Sequence, residues 1–329
     1  MVILADQDGA ELRTLSPKKI DVDLGDSRDF QAVFAAADWQ DDLTYQNRIF
    51  IPGTEYGGII GGIETDTEAE SVTVSGYTWR GVLQNKVISP AAGQSYKVVS
   101  GELNAVVGAL LLEQGISGLF VASDEDTEVS VTNYQFDRYC TLLAGIEKML
   151  KSKGYRLEVV YVQQEQGASG YVRLSAVPAV DYSETIEYSQ DSELHFTFTQ
   201  TRNGVNHLVC LGKGELAERE VIHLYVQGDG SISTTTPHYT GFAEIAQTYE
   251  NTSTEDLQED GTQKLQELMS RQTFKMSVDS LDFEVEIGDI IGGRDYITGM
   301  SMKKPIVNKI YTEENGTVKI AYKVEGDEQ

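Results

Sequence analysis

The chain has 329 residues, 40% of them hydrophobic, which is enough for two or three packed domains and excludes a disordered polymer. Its 26 Lys and Arg stand against 52 Asp and Glu, a formal charge of −26, which repels polyphosphate and argues against a nucleic-acid reader. The two cysteines, Cys140 and Cys210, each lie in an apolar run, which excludes a disulfide framework and suits folding in a reducing compartment.

The opening stretch MVILADQDGAELRTL has neither a basic start nor a small-residue cleavage site, so no signal peptide is expected. No later run approaches the roughly 18 to 20 apolar residues that span a bilayer, so no membrane insertion is expected either. Residues 1–90 read as strands: MVILA, DFQAVFAA, NRIFIPG, YGGIIGGIETD and the alternating ESVTVSGY. Gly57, Gly58, Gly61 and Gly62 interrupt that pattern, which points to bulges or close backbone approach. Trp79 and Arg80 then stand between Gly76 and Gly81, ahead of GVLQNKVISP, which suits a short helix or another strand.

From Ser100 the spacing of Leu103, Val106, Val107, Leu110 and Leu111 predicts one face of a helix ending near Gly115. A second helix is predicted with Asn133 as its cap, a stripe of Phe136, Cys140, Leu143, Ile146 and Leu150, basic residues near its end, and Gly154 as its stop. YRLEVVYV and YVRLSAVPAV follow as a hairpin. LHFTFTQTR, NHLVCLGKGE and REVIHLYV read as strands, the threonine-rich SISTTTPHYTG as a loop, and Thr254 to Arg271 as a helix. Strands resume to the end, where Asn315-Gly316 between alternating runs is a strong hairpin signal. The fold class is therefore α+β, predominantly β. IIGG occurs at 59–62 and again at 290–293, a hint of internal repetition.

Chemistry is sparse. His195, His207, His223 and His238 are too scattered for a metal or triad signature, and His207 and Cys210, three apart in a strand, point to opposite faces. SDEDTE at 123–128 lacks the glycine and the distant Glu of a calcium loop and reads as a solvated turn. No phosphate loop, dinucleotide fingerprint or nucleophile elbow is present. No catalytic residue, cofactor site or metal site is expected. Carboxylate pairs are unavoidable with 52 acidic residues, which leaves a cell-wall- or carbohydrate-active protein, or a stand-alone β-rich binding module, as alternative readings.

The run PGTEYGGIIGGIETDTEAESVTVSGYTWRGVLQNKVISP resembles a signature of hub proteins at the tip of phage tails, relatives of the baseplate hub of contractile tails. Glu55 with Gly57-Gly58 begins the strand, and Gly76, Gly81, Leu83 and Pro90 follow in the family's order. TRNGVNHLVCLGKGELAERE and EIGDIIGGRDYITGMSMKKPIVNKI form a second matching block, and the order of blocks holds along nearly the whole chain. The resemblance implies two related β-barrel-like hub domains, the second split by a helical insertion, with an α+β domain between them. The corresponding segments are 1–90, then 91–192, then 193–238 with 276–329, and the insertion 239–275. It further implies a non-enzymatic virion protein: a homotrimer joining the hexameric tail tube or a distal tail protein to a tip, spike or receptor-binding protein, with DNA only passing through its lumen. Larger relatives continue into hydrolase or fibre domains, whereas the last hairpin here is followed by Gln329. Trp79, Arg80 and Glu55 are the candidate subunit or tube contacts, because an aromatic beside a planar cation suits a desolvated interface, although packing within their own domain fits them equally. Gly57, Gly58, Gly76 and Gly81 are the candidate positions where only backbone fits.

Overall fold

The computed structural model describes residues 1–164, 169–183, 187–188, 195–201, 203–253, 256–269, 271–277, 285–294, 299 and 301–325. Two compact units share the chain, Met1–Phe196 with Lys275–Gln329, and Thr197–Phe274. The first unit runs β1 (Val2–Ala5), β2 (Glu11–Leu15), β3 (Lys19–Asp23), β4 (Asp29–Ala35), β5 (Arg48–Phe50), β6 (Gly57–Asp66), β7 (Ser71–Thr78), α1 (Trp79–Gln84), β8 (Val98–Glu102), α2 (Leu103–Glu113), β9 (Phe120–Ala122), β10 (Ser130–Gln135), α3 (Leu142–Lys151), β11 (Tyr155–Val162), β12 (Tyr171–Pro178) and β13 (Glu187–Tyr188). There follow β14 (His195–Thr201), β15 (His207–Leu211), β16 (Val221–Val226), β17 (Ile232–Ser233), β18 (Ala246–Glu250), α4 (Leu257–Leu268) and β19 (Arg271–Ser277). β20 (Ile290–Arg294), β21 (Ser301–Glu314) and β22 (Thr317–Val324) return to the first unit.

An 11-stranded sheet dominates the first unit in the order β13-β20-β21-β3-β4-β7-β6-β5-β1-β2, with β22 paired to β21. The C-terminal hairpin thus completes the N-terminal sheet, β21 lying antiparallel to β3 with Tyr311 opposite Val22. Alternation dictates which side chains go inside. Ile20 and Val22 on β3, Phe30, Ala32 and Phe34 on β4, and Val74 on β7 are buried in one core. In β1 both faces are buried: Val2 and Leu4 enter that core, while Ile3 and Ala5 enter a second one. The second core is built with α2, α3 and the β11–β12 hairpin, which contribute Val107, Leu110, Ile146, Leu150, Leu157, Val159, Val172 and Leu174. One sheet is thereby sandwiched between its own curled interior and a helical layer.

The expected β-barrels are not closed. Among the described residues the sheet is an open path ending in β13 and β2. It nevertheless curls: the Tyr56 ring, just before β6, stacks on Tyr311 of β21 at 4.4 Å, although four inter-strand steps of about 4.8 Å separate β6 from β21 in the pairing order. Side chains fill the curl, Val2 and Leu4 of β1 among them, while Ile3 and Ala5 of the same strand face the helical layer.

Several predicted elements stand as read: α2, the β11–β12 hairpin, and the β21–β22 hairpin with Asn315 and Gly316 both left-handed at φ 51° and 78°. The second helix starts later than predicted. Asn133 lies within β10 at φ 49°, and the helix begins at Leu142 with the Thr141 hydroxyl accepting from Ala144 N. Tyr139, left-handed at φ 57°, breaks the helical path, so Phe136 and Cys140 belong to the approach and not to the stripe. β18 was not anticipated. Its sequence AQTYE has no apolar alternation and is mostly exposed, and it exists because it pairs parallel to β15.

In the second unit β17, β16, β15 and β18 form a four-stranded sheet covered by α4. Leu208, Cys210, Leu224 and Val226 face Leu257 and Leu265. Both cysteines are free thiols, Cys140 half-buried and Cys210 buried. Among the described residues no helix is long and apolar enough to cross a membrane.

Gly261 in α4 is a point of close approach, since a Cβ there would collide with the Cys210 sulfur and stand 3.0 Å from Leu224 Cδ1. Gly→Ala in a helix interior ordinarily stabilises by about 1 kcal/mol. Gly261→Ala is expected to have the opposite sign, losing about 1–3 kcal/mol through overpacking, measured as a lower denaturant midpoint. Cys210→Ala in the same background should restore much of it.

Candidate functional site

The stretch singled out in the sequence forms the junction between sheet and helical layer. β7 ends at Thr78, whose hydroxyl donates to Arg28 O at 2.9 Å and accepts from Gly81 N at 3.2 Å, capping the six-residue helix α1. This cap aims the first two side chains of the helix inward. Trp79 has no exposed surface, and its ring stacks 5.3 Å from Tyr161, which itself stacks on Phe50 at 3.8 Å. The three rings tie α1, β11 and β5 into one column.

Arg80, 3% exposed, uses its fork on three elements at once. Nε donates to Glu55 Oε2 at 3.0 Å, Nη1 to Glu147 Oε1 on α3 at 2.9 Å, and Nη2 to the Leu157 carbonyl on β11 at 3.0 Å. Glu55 is delivered by the turn between β5 and β6, which is itself bonded to β11 through Tyr161 N to Thr54 O at 2.8 Å and Gly53 N to Tyr161 O at 3.2 Å. Burial works against the charge on Arg80, but the two carboxylates override it and hold the guanidinium more firmly protonated than usual. Burial pushes the Glu55 carboxyl above its ordinary range despite the pull of Arg80, Glu286 adds repulsion, and its second oxygen has no hydrogen-bond partner among the described residues. The carboxylates that meet Arg80 are therefore the chain's own.

The four glycines surround this junction. A Cβ at Gly58 would strike the Tyr77 carbonyl oxygen, one at Gly76 the Ile59 carbonyl oxygen, and one at Gly81 the Arg28 carbonyl oxygen, while one at Gly57 would stand 2.5 Å from Ile49 O. The register of β6 on β7 shifts between Ile60 and Gly62, leaving Gly61 as a bulge.

Beside the junction lies a cleft of about 540 Å³. Its walls include apolar Leu24, Ile287 and Ile306, and four cations, Arg28, Arg80, Lys151 and Arg156, against two carboxylates, Glu147 and Glu325. Arg156 is held by Asp289 at 3.0 Å. Lys151 meets Glu325 at 3.3 Å, so three of the four cations are matched by carboxylates and the cleft is close to neutral. The acidic turns lie elsewhere: Glu64, Asp66, Glu68 and Glu70 at the β6–β7 tip, and Asp124, Glu125, Asp126 and Glu128, are all exposed. Among the described residues no group of three His, Cys, Asp or Glu is arranged to hold a metal ion. Sequence reading singled out Trp79, Arg80 and Glu55 but had no signal for Glu147 or Leu157, which lie 67 and 77 residues from Arg80.

Removing one partner of a buried ion pair leaves an uncompensated charge. Arg80→Met is expected to cost about 3–5 kcal/mol in equilibrium unfolding. Adding Glu55→Gln should recover a substantial part of that loss. Independent, additive effects of the two changes would show that the pair does not act as a unit.

The matched family model, described as Siphovirus ReqiPepy6 Gp37-like protein, spans residues 39–328. No curated protein matches the chain in sequence. Among solved structures, the tail protein from Neisseria meningitidis MC58 superposes with a TM-score of 0.50 at 12% identity, covering 99% of this chain and 97% of that one. The 43 kDa tail protein of prophage MuSo2 from Shewanella oneidensis gives 0.51 at 11% identity, covering 98% and 97%. A chain of the phage p2 virion baseplate in its activated conformation gives 0.53 at 10% identity, covering 100% and 99%. The likeness runs end to end in each pair, and with a family match over most of its length the chain belongs to the Siphovirus ReqiPepy6 Gp37-like proteins and has the fold of phage tail and baseplate proteins.

Proposed function

We propose that this siphovirus-type tail protein is a tail hub: a trimer that joins the hexameric tail tube to the tip proteins, lines the DNA channel, and works by binding geometry without catalysis. The observation that carries the reading is the end-to-end superposition on a chain of a virion baseplate, 100% of this chain on 99% of that one. In this reading the two related hub domains are the segments 1–90 and 193–238 with 276–329, with the α+β segment 91–192 and the insertion 239–275, although β21 pairs with β3 and β15–β16 pack with α4. It is supported by the Ile-Ile-Gly-Gly that recurs inside β6 and inside β20, each antiparallel to the strand that follows it.

The electrostatics point the same way. A channel for a polyanion must not neutralise phosphates, since each contact releases counterions and adds affinity. A chain of charge −26 with exposed acidic hairpin tips supplies non-adhesive walls. Trp79, Arg80 and Glu55 serve the assembly by holding the surface around the cleft in shape from beneath.

Light scattering across a dilution series, with and without soluble tail-tube protein, tests this. A mass of three times the 36.3 kDa chain, alone or on addition of tube protein, is expected. A monomer that ignores tube protein at every concentration would contradict the hub reading.

A further inference from the structure

The histidines that look scattered in the sequence are not all apart in the second unit. β15 and β16 pair antiparallel with His207 opposite Tyr225 and Val209 opposite His223, so His207 and His223 are diagonal neighbours. They share the face opposite to buried Leu208, Cys210 and Leu224. His207 Nε2 stands 2.8 Å from His223 Nδ1, and His207 Nδ1 stands 2.6 Å from Glu244 Oε1. The His207 ring stacks on Tyr225 at 4.5 Å. Glu244 is delivered by a loop that Asn206 clamps, its amide donating to Ala243 O at 2.7 Å and its side-chain oxygen accepting from Ile245 N at 2.8 Å.

The carboxylate of Glu244 only accepts, so the neutral His207 ring carries its proton on Nδ1 and its lone pair on Nε2, on the side of His223. This is the arrangement of a metal-ligating imidazole whose outer nitrogen is fixed by a carboxylate. His223, exposed at the surface, can carry its own proton on Nε2, which frees Nδ1 without net proton release. Two imidazole nitrogens each about 2.0–2.1 Å from one ion, in adjacent positions at about 90°, stand about 2.9 Å apart. The observed separation of 2.8 Å matches that distance, and the exposed His223 ring is the one free to turn toward an ion while Glu244 and Tyr225 hold His207.

We propose that His207 and His223, with Glu244 as the outer carboxylate, form a binding site for one first-row divalent transition-metal ion, which replaces the hydrogen shared by the two rings. Imidazole nitrogen selects Cu²⁺, Ni²⁺ or Zn²⁺ over Mg²⁺ or Ca²⁺. Water takes the remaining positions, since no third ligating side chain is arranged there among the described residues. An ion at this point pins the Glu244 loop to the sheet, and the tip of that loop carries the fully exposed Phe242.

The test uses the untagged full chain titrated with Cu²⁺ near neutral pH, with binding read by nitrogen hyperfine structure in electron paramagnetic resonance and affinity read by competition with a chelator. One ion per chain with two imidazole nitrogens is expected. His207→Gln and His223→Gln should each weaken binding at least tenfold, Glu244→Gln by about tenfold, and His238→Ala should leave it unchanged. Zn²⁺ in large excess should reduce the Cu²⁺ signal, because Cu²⁺ is the tighter binder of the two at nitrogen ligands, and Mg²⁺ at the same excess should not. Because His223 is exposed, its variant keeps the fold, checked by circular dichroism. Equal affinity of wild type and the folded His223→Gln variant, or absence of saturable binding, would overturn the proposal.

Discussion

The guanidinium of Arg80 is the constraint around which the first unit is arranged. A planar cation with five donors, taken out of water, must find acceptors in fixed directions. It finds them on the β5–β6 turn, on α3 and on β11, and so fixes where the helical layer sits on the sheet. The aromatic column of Phe50, Tyr161 and Trp79 supplies the apolar part of the same junction. The ion pairs make the junction specific, and the rings make it dense.

The rest of the unit follows from one sheet having two faces to bury. β1 shows this in four residues, its alternate side chains divided between the curled interior and the helical core. Curling without closure lets the C-terminal hairpin β21–β22 pair with β3 while β20 and β13 extend the edge. Such a frame leaves edges, turns and the cleft beside Arg80 outside two packed cores.

Local signals were legible in the sequence. The stripe of α2, the alternation of β11 and β12, and Asn315-Gly316 each encode their conformation within a few residues. Non-local choices were not. Alternation says that Ile20, Phe30 and Val74 are buried, but nothing in it says whether the sheet closes. The glycines at 57, 58, 76 and 81 marked the crowded crossing of β6, β7 and α1, yet the carboxylate of Glu147 and the carbonyl of Leu157 are brought to Arg80 only by tertiary register. Asn133 has the chemistry of a cap, but it sits at the register break of β10 on β8, where its N–H donates to the Ser100 hydroxyl at 2.8 Å. The pairing of His207 with His223 depends on the β15–β16 register, and β18 depends on β15; neither leaves a pattern of its own in the sequence.

The family and the fold point to the tail; what is left to locate is the position of the chain within it. Electron cryomicroscopy of tails assembled with this chain measures it directly. Density for three copies in a ring between the last tube hexamer and the tip, with acidic surface toward the channel, is the expected result. Absence from that junction, or a ring whose inner wall is basic, would contradict it.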